Sequence, residues 1–248
     1  MSWQVRVRVP SEHVERISSH LWDNHTNGIA ELTTDSETIR ELVAGFDQEN
    51  LGQAAASSLT DMGQLTGIVL EPTPIDWSTP SPTMIERRGV SATIEAGRAF
   101  GHGTHPTTEL ALDLVARLAE PGQSMLDVGT GSGVLAVVAA LLGAQPVVAV
   151  DNDPEAVAVA TSNAERNNVE IDVHFSLDDA TGTFDLVVAN MLAADLEPLA
   201  SAIVDRTTHT LALTGFLDEQ VGWVTSMFPE LAVVDRLDHQ GWVGLVLQ

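Results

Sequence analysis

One segment of the sequence points directly at a ligand through its residue types and spacing. Leu126-Asp127-Val128-Gly129-Thr130-Gly131-Ser132-Gly133 joins an apolar strand to an apolar helix. Glycines at such a turn let the backbone bend tightly and approach a bound group closely. The spacing is Gly-x-Gly-x-Gly after an aspartate rather than Gly-x-Gly-x-x-Gly, which favours S-adenosylmethionine over NAD. The following strand ends at Asp151, 22 residues after Gly129, where a carboxylate can take both ribose hydroxyls of an adenosine. Asp153, just before Pro154, reads instead as a helix N-cap with proline at the first helical position. Asp178 or Asp179 follows the third strand, either meeting an adenine amino group or lying in a solvated turn. Asn190 ends the apolar run Leu186-Val187-Val188-Ala189. At the carboxyl end of a parallel strand it faces the ligand crevice, the alternative being a turn or cap. No prolines follow it, which disfavours glutamine and adenine nitrogens as methyl acceptors. A further segment runs Ala99-Phe100-Gly101-His102-Gly103-Thr104-His105-Pro106-Thr107-Thr108-Glu109. Thr107 and Thr108 open a helix, as ligand contacts or simply as its caps. His102 and His105 raise the question of a metal, but without cysteine or a clear third ligand no metal site is expected.

These residues need a scaffold, and the hydrophobic pattern supplies one. Residues 3–9 alternate strictly, as a half-buried strand does, and Ser11 is placed to cap a helix reaching about residue 25. Strands are predicted at 28–34 and 39–43, the latter ending at Gly45, then a helix at 47–62 and a strand at 65–70. The order βαββαβ is ferredoxin-like. Pro72, Pro74, Pro80 and Pro82 then mark a joint. Beyond it strands are predicted at 124–128, 147–151, 170–175, 184–190, 211–214, 231–237 and 242–247, the last two as a hairpin. Helices are predicted at 107–119, 133–142, 154–167, 195–206 and from Asp218. Runs such as Val147-Val148-Ala149-Val150 are apolar without alternation, as strands covered on both faces are. The expected architecture is α/β: a seven-stranded, mostly parallel Rossmann-like sheet preceded by a small α+β domain. The domains are 1–70, a Pro-rich linker at 71–89, and 90–248.

Composition narrows the function. In 248 residues, 11 basic residues, all arginine, face 35 acidic ones, for a net charge of −24. So acidic a surface repels phosphate backbones and attracts basic partners, unless the acidity is a general adaptation to salt. The longest apolar run, Val134 to Leu142, is nine residues, short of the roughly 20 that span a bilayer. The N-terminus lacks a signal-peptide pattern and there is no cysteine, so a cytoplasmic protein is expected.

Taken together, the motifs resemble those of the PrmA family, lysine methyltransferases of protein eleven of the large ribosomal subunit. The resemblance rests on Phe100 to Thr108, with His102 where the signature has threonine. It extends to Asp127–Gly133, Asp151-Asn152-Asp153-Pro154, Asn163, Asn167-Asn168, Val188–Ala193, Leu213-Thr214-Gly215-Phe216-Leu217 and Gly241-Trp242-Val243. It covers residues 90–248; the N-terminal domain matches only in element order. The resemblance implies a class I methyltransferase with S-adenosylmethionine contacts at Thr108, Gly129, Asp151 and Asn190, and an N-terminal domain that docks a basic ribosomal protein. The full expected site adds Thr107, Asp127, Gly131 and Asp178 as cofactor residues. Asn190 positions the amine and Phe100 walls the site. A monomer without direct nucleic-acid or membrane contact is expected. The alternatives are methylation of another protein or a small molecule, a nicotinamide-dependent oxidoreductase, and a degenerate methyltransferase serving ribosome assembly.

Overall fold

The computed structural model describes residues 2–24, 26–34, 36, 38–62, 65–73, 82–95 and 105–248. The chain divides into two compact units, Met1–Ser81 and Pro82–Gln248. In the first, β1 (Ser2–Pro10) buries Val5, Val7 and Val9 on one face, as its alternation predicts. It pairs antiparallel with both β3 (Ile39–Phe46) and β4 (Thr66–Thr73). β2 (Gly28–Thr33) adds to the far edge of β3, for the order β2-β3-β1-β4. α1 (Val14–Asp23) contributes Val14, Ile17 and Leu21 to the core, and α2 (Glu49–Asp61) contributes Ala55, Ala56 and Leu59. This is the expected ferredoxin-like arrangement. Two local expectations fail. Ser11 does not cap a helix: its N–H and hydroxyl both donate to the Thr38 carbonyl, at 2.9 and 3.3 Å, and Ser11–His13 form a 3-10 turn. The third strand does not end at Gly45, because Phe46 still pairs with Trp3.

The second unit holds the seven-stranded sheet. Its strands are β7 (Met125–Val128), β8 (Val147–Val150), β9 (Asp172–His174), β10 (Phe184–Asn190), β11 (Thr207–Leu217), β12 (Val233–His239) and β13 (Trp242–Leu247). The order is β12-β13-β11-β10-β7-β8-β9, and only β13 runs against its neighbours. Helices α3 (Pro106–Leu118) and α4 (Val134–Leu141) cover one face, packing on Met125, Val147, Leu186, Val188 and Ala212. The other face is covered by α6 (Ala193–Leu196), α7 (Ala200–Arg206) and α8 (Val221–Ser226). The helix expected at 195–206 is broken into α6, a 3-10 turn at Glu197–Leu199 and α7, because Pro198 supplies no backbone N–H to continue the ladder.

The predicted linker 71–89 is narrower than expected. Glu71–Thr73 belong to β4, and β5 (Thr83–Arg87) pairs with β6 (Val90–Ile94) in a hairpin turned at Arg88-Gly89. Its apolar side, Ile85, Ala92 and Ile94, joins the same core as α3 and α4. Asparagines of α5 (Pro154–Arg166) and its C-cap stitch the hairpin down. Asn163 Oδ1 accepts the Glu95 N–H at 3.0 Å, and its amide donates to the carbonyls of Glu95 at 2.9 Å and Ser132 at 2.8 Å. Asn167 makes the matching pair with both backbone groups of Thr93, at 2.8 and 2.9 Å. Asn163 is 1% exposed, so Asn163→Ala strands buried backbone groups at about 1–3 kcal/mol each. A drop in melting temperature of at least about 4 °C is expected by calorimetry, at about 2–4 °C per kcal/mol for a domain of this size.

Candidate active site

In the sheet β7 is flanked by β8 on one side and β10 on the other, so the chain's winding reverses between β7 and β10. Ligands of open α/β sheets bind at the carboxyl ends of strands at such a switch point. The Gly-rich turn leaves β7 there. The Gly129 and Thr130 amides both donate to the Val150 carbonyl, at 2.9 and 3.0 Å, and the Gly131 amide donates to Asp151 Oδ2 at 2.9 Å. At Gly133 φ is +79°, and a Cβ would lie 2.9 Å from the Ala160 Cβ, so α5 can approach the turn only because that residue is glycine.

A cleft of about 360 Å³ opens over this turn, bounded by Gly129, Asp151, Phe175, Asp178, Met191 and Leu199 among others. Asp151 is half-buried; besides Gly131 it accepts the Asp153 N–H at 3.0 Å, so each carboxylate oxygen takes one bond and keeps a lone pair for a ligand. Asp153 caps α5 through the Glu155 N–H at 2.9 Å, the structural role its position before Pro154 predicts. Asp178 stands exposed at the rim, in a 3-10 turn capped by Ser176, with Arg206 Nη2 at 3.9 Å.

Other expected residues lie outside the cleft lining. Asp127 is fully buried beneath the turn and accepts the Thr130 hydroxyl at 2.6 Å, so it shapes the loop. Burial pushes its carboxyl up to about 7, with the Asp151 charge adding to the effect. Thr107 is buried with its hydroxyl 2.8 Å from His105 Nδ1. His105, not a threonine, is the N-cap of α3; its ring packs edge-on against Trp242 at 5.5 Å. Burial holds that imidazole down at about 4, hence neutral and able to accept the Thr107 amide. Thr108 is buried in the first turn of α3, its hydroxyl without a partner. Phe100 and His102 lie outside the described residues. Asn190 is half-buried at the end of β10, in register with Thr214 of β11.

Two residues of the motifs that carry the resemblance, Met191 and Gly215, hold Asn190 in place by a contact that the motifs alone do not specify. Gly215 has φ +98°, and a Cβ there would fall 2.4 Å from the Met191 carbonyl oxygen and 2.7 Å from its nitrogen. The Met191 N–H donates to the Thr214 carbonyl at 3.1 Å. The closing motif, a glycine just past an apolar strand core, marks Gly215; which peptide it touches is set by the pairing of β10 with β11. Phe175, 56% exposed at the cleft, carried no signal beyond ending a strand.

The family model described as Ribosomal protein L11 methyltransferase (PrmA) matches residues 73–248. The chain belongs to this family. Ribosomal protein L11 methyltransferases of Burkholderia lata and Burkholderia multivorans are 34% and 35% identical to it over 235 residues, 89% of this chain and 78% of theirs. A crystal structure of ribosomal protein L11 methylase from Lactobacillus delbrueckii subsp. bulgaricus is similar at 32% identity and TM-score 0.57, covering 60% of this chain and 80% of that one. The 16S rRNA N2 methyltransferase RsmC of T. thermophilus, in complex with AdoMet and guanosine, has TM-score 0.58 at 15% identity, covering 99% of this chain and 64% of that one; it shares the fold. The chain therefore has the class I methyltransferase fold expected, and PrmA members are methyltransferases dependent on S-adenosylmethionine. The residues fit that cofactor: a carboxylate with free lone pairs and a glycine turn bound the cleft, and a buried orphan hydroxyl stands at Thr108.

Two outcomes follow from this geometry. Gly215→Ala must displace the Met191 peptide beside Asn190, and methyl transfer should fall on the order of 10²-fold, as misplacement by about 1 Å can cost; steady-state kinetics measure it. Asp127 binds its proton more tightly folded than unfolded, so its contribution to stability is complete below about 4 and is lost as pH rises to about 7. Melting curves of Asp127→Asn and the unmutated protein should therefore diverge in favour of the amide across that window.

Proposed function

We propose that this protein transfers methyl groups from S-adenosylmethionine to lysine or α-amino nitrogens of the large-subunit ribosomal protein L11. The observation that carries the reading is the alignment of Gly129, Asp151 and Asn190 at the switch point of a PrmA-family sheet. Asp151 would take the ribose hydroxyls, Asp178 the adenine amino group at the rim, and Thr108 the methionine end. Gly129 would present open backbone to the cofactor. Asp127, Gly131 and Thr107 would act by holding the turn and the first turn of α3. When bound, the cofactor supplies an electrophilic methyl on a sulfonium.

The acceptor nitrogen must reach the site as a neutral amine, although a free lysine has a pKa near 10.4. Withdrawal from water disfavours the ammonium form. Asn190 would orient the amine in line with the methyl, Phe100 would wall the site, and the released proton leaves to water without a dedicated base. The N-terminal ferredoxin-like domain would select the substrate, and a net charge of −24 suits a basic partner. A ribosomal protein substrate suits a cytoplasmic enzyme, and we propose that it acts there as a monomer.

The test is incorporation of radiolabelled methyl groups into ribosomal proteins from a strain lacking the enzyme, with the unmutated protein and Asp151→Ala side by side. Label is expected in L11 alone. Asp151→Ala should weaken S-adenosylhomocysteine binding by about 1.5–3 kcal/mol, the range for a hydrogen bond to a charged group. Label in another protein would move the substrate assignment; unchanged affinity would remove Asp151 from the site.

A further inference from the structure

Three buried side-chain atoms among the described residues have no hydrogen-bond partner: Thr108 Oγ1, Asp127 Oδ1 and Thr214 Oγ1. They come from the first turn of α3, the last-but-one residue of β7 and the carboxyl-terminal half of β11. Thr214 is in register with Asn190, and register partners on parallel strands project to the same face. Alternation groups Asn190 with Leu186 and Val188, and Thr214 with Ala212, on the face that α3 and α4 cover. Thr108 and Asp127 already have work in the proposed site, at the cofactor and beneath the Gly-rich turn. Thr214 has none. It is 1% exposed, and valine would fill the same space without leaving a hydroxyl unpaired.

We infer that the Thr214 hydroxyl binds the methyl-accepting amine beside Asn190. Position favours the amine over the cofactor. β10 lies between β7 and β11, so Thr214 is on the side of Asn190 away from Gly129 and Asp151. The chemistry agrees. A neutral primary amine has two N–H donors and one lone pair. The Thr214 oxygen accepts one N–H and Asn190 Oδ1 the other, which leaves the lone pair directed at the methyl. Burial of the amine beside this hydroxyl disfavours the ammonium form. This inference rests on the methyl-transfer reading above.

Thr214→Val and Thr214→Ser separate a ligand-binding hydroxyl from a structural one. With purified unmethylated L11 as substrate, Thr214→Val should lower kcat/KM about tenfold or more, for a lost hydrogen bond to the reacting group. Its affinity for S-adenosylhomocysteine should stay within about twofold, the spread expected of a site it does not touch. Its melting temperature should hold or rise, since an unpaired buried hydroxyl has been removed. Thr214→Ser should restore most of the activity. Full activity in Thr214→Val with a raised melting temperature would overturn the inference. So would a loss of S-adenosylhomocysteine affinity that matches the loss of activity, which would assign Thr214 to the cofactor. Absence of S-adenosylhomocysteine binding by the unmutated protein would instead remove the methyl-transfer reading itself.

Discussion

The corner after β10 depends on a contact between two stretches of backbone. Gly215 lies so close to the Met191 peptide that any side chain at 215 would overlap it. That contact, with the Met191 N–H bonded to the Thr214 carbonyl, sets where Asn190 ends its strand. Met191 in turn lies against Gly129, its Cε 3.5 Å from where a Cβ would be. The turn after β7 is limited from the other side by Ala160 against Gly133. The turns after β7 and β10 therefore rest on two approaches, at Gly133 and Gly215, that only glycine allows, and a packed interior transmits a displacement at one of them to its neighbours.

The polar groups of the site are arranged by the same elements. Asp151 lies just past the end of β8 and is a partner of the Gly131 amide, so a carboxylate bounding the cleft also holds the turn above β7. Asp127 lies beneath that turn and is pushed toward its neutral form by burial and by Asp151. One of the two carboxylates thus bounds the cleft and the other is withdrawn beneath the turn as a support. Asn163 extends the same connection to the β5–β6 hairpin by bonding Ser132 of the turn and Glu95 beyond β6 with one side chain.

The surface follows a different logic. Arginines pair with nearby carboxylates, as Arg87 with Asp113 at 2.9 Å, Arg117 with Asp235 at 2.6 Å and Arg236 with Asp218 at 2.6 Å. Exposed pairs of this kind contribute about 0–1 kcal/mol each. They fix local geometry more than they stabilise the fold, and with 35 acidic residues against 11 arginines they leave the molecule strongly negative.

Much of the fold was legible in the sequence because periodicity is local. The alternation of residues 3–9, the unbroken apolar runs of β8 and β10, and the capping sequence Asp153-Pro154 each specify an element whose buried face follows from side-chain direction alone. The family signature and the positions of Gly129, Asp151 and Asn190 were legible for the same reason. Only the tertiary structure decided which of the expected residues bound the cleft. Thr107 is taken up by His105 and Asp127 by Thr130, partners two and three residues away whose geometry depends on how the turn is packed from outside. The β5–β6 hairpin was hidden inside a proline-marked joint, since its two short strands owe their stability to α4 and to Asn163 and Asn167, about 70 residues on. Gly215 and Thr214 were readable as the end of a strand and as part of a family motif, but not in their roles. Their contact with Met191 and register with Asn190 come from the pairing of β10 with β11, and pairing between strands is a long-range choice that no local pattern encodes.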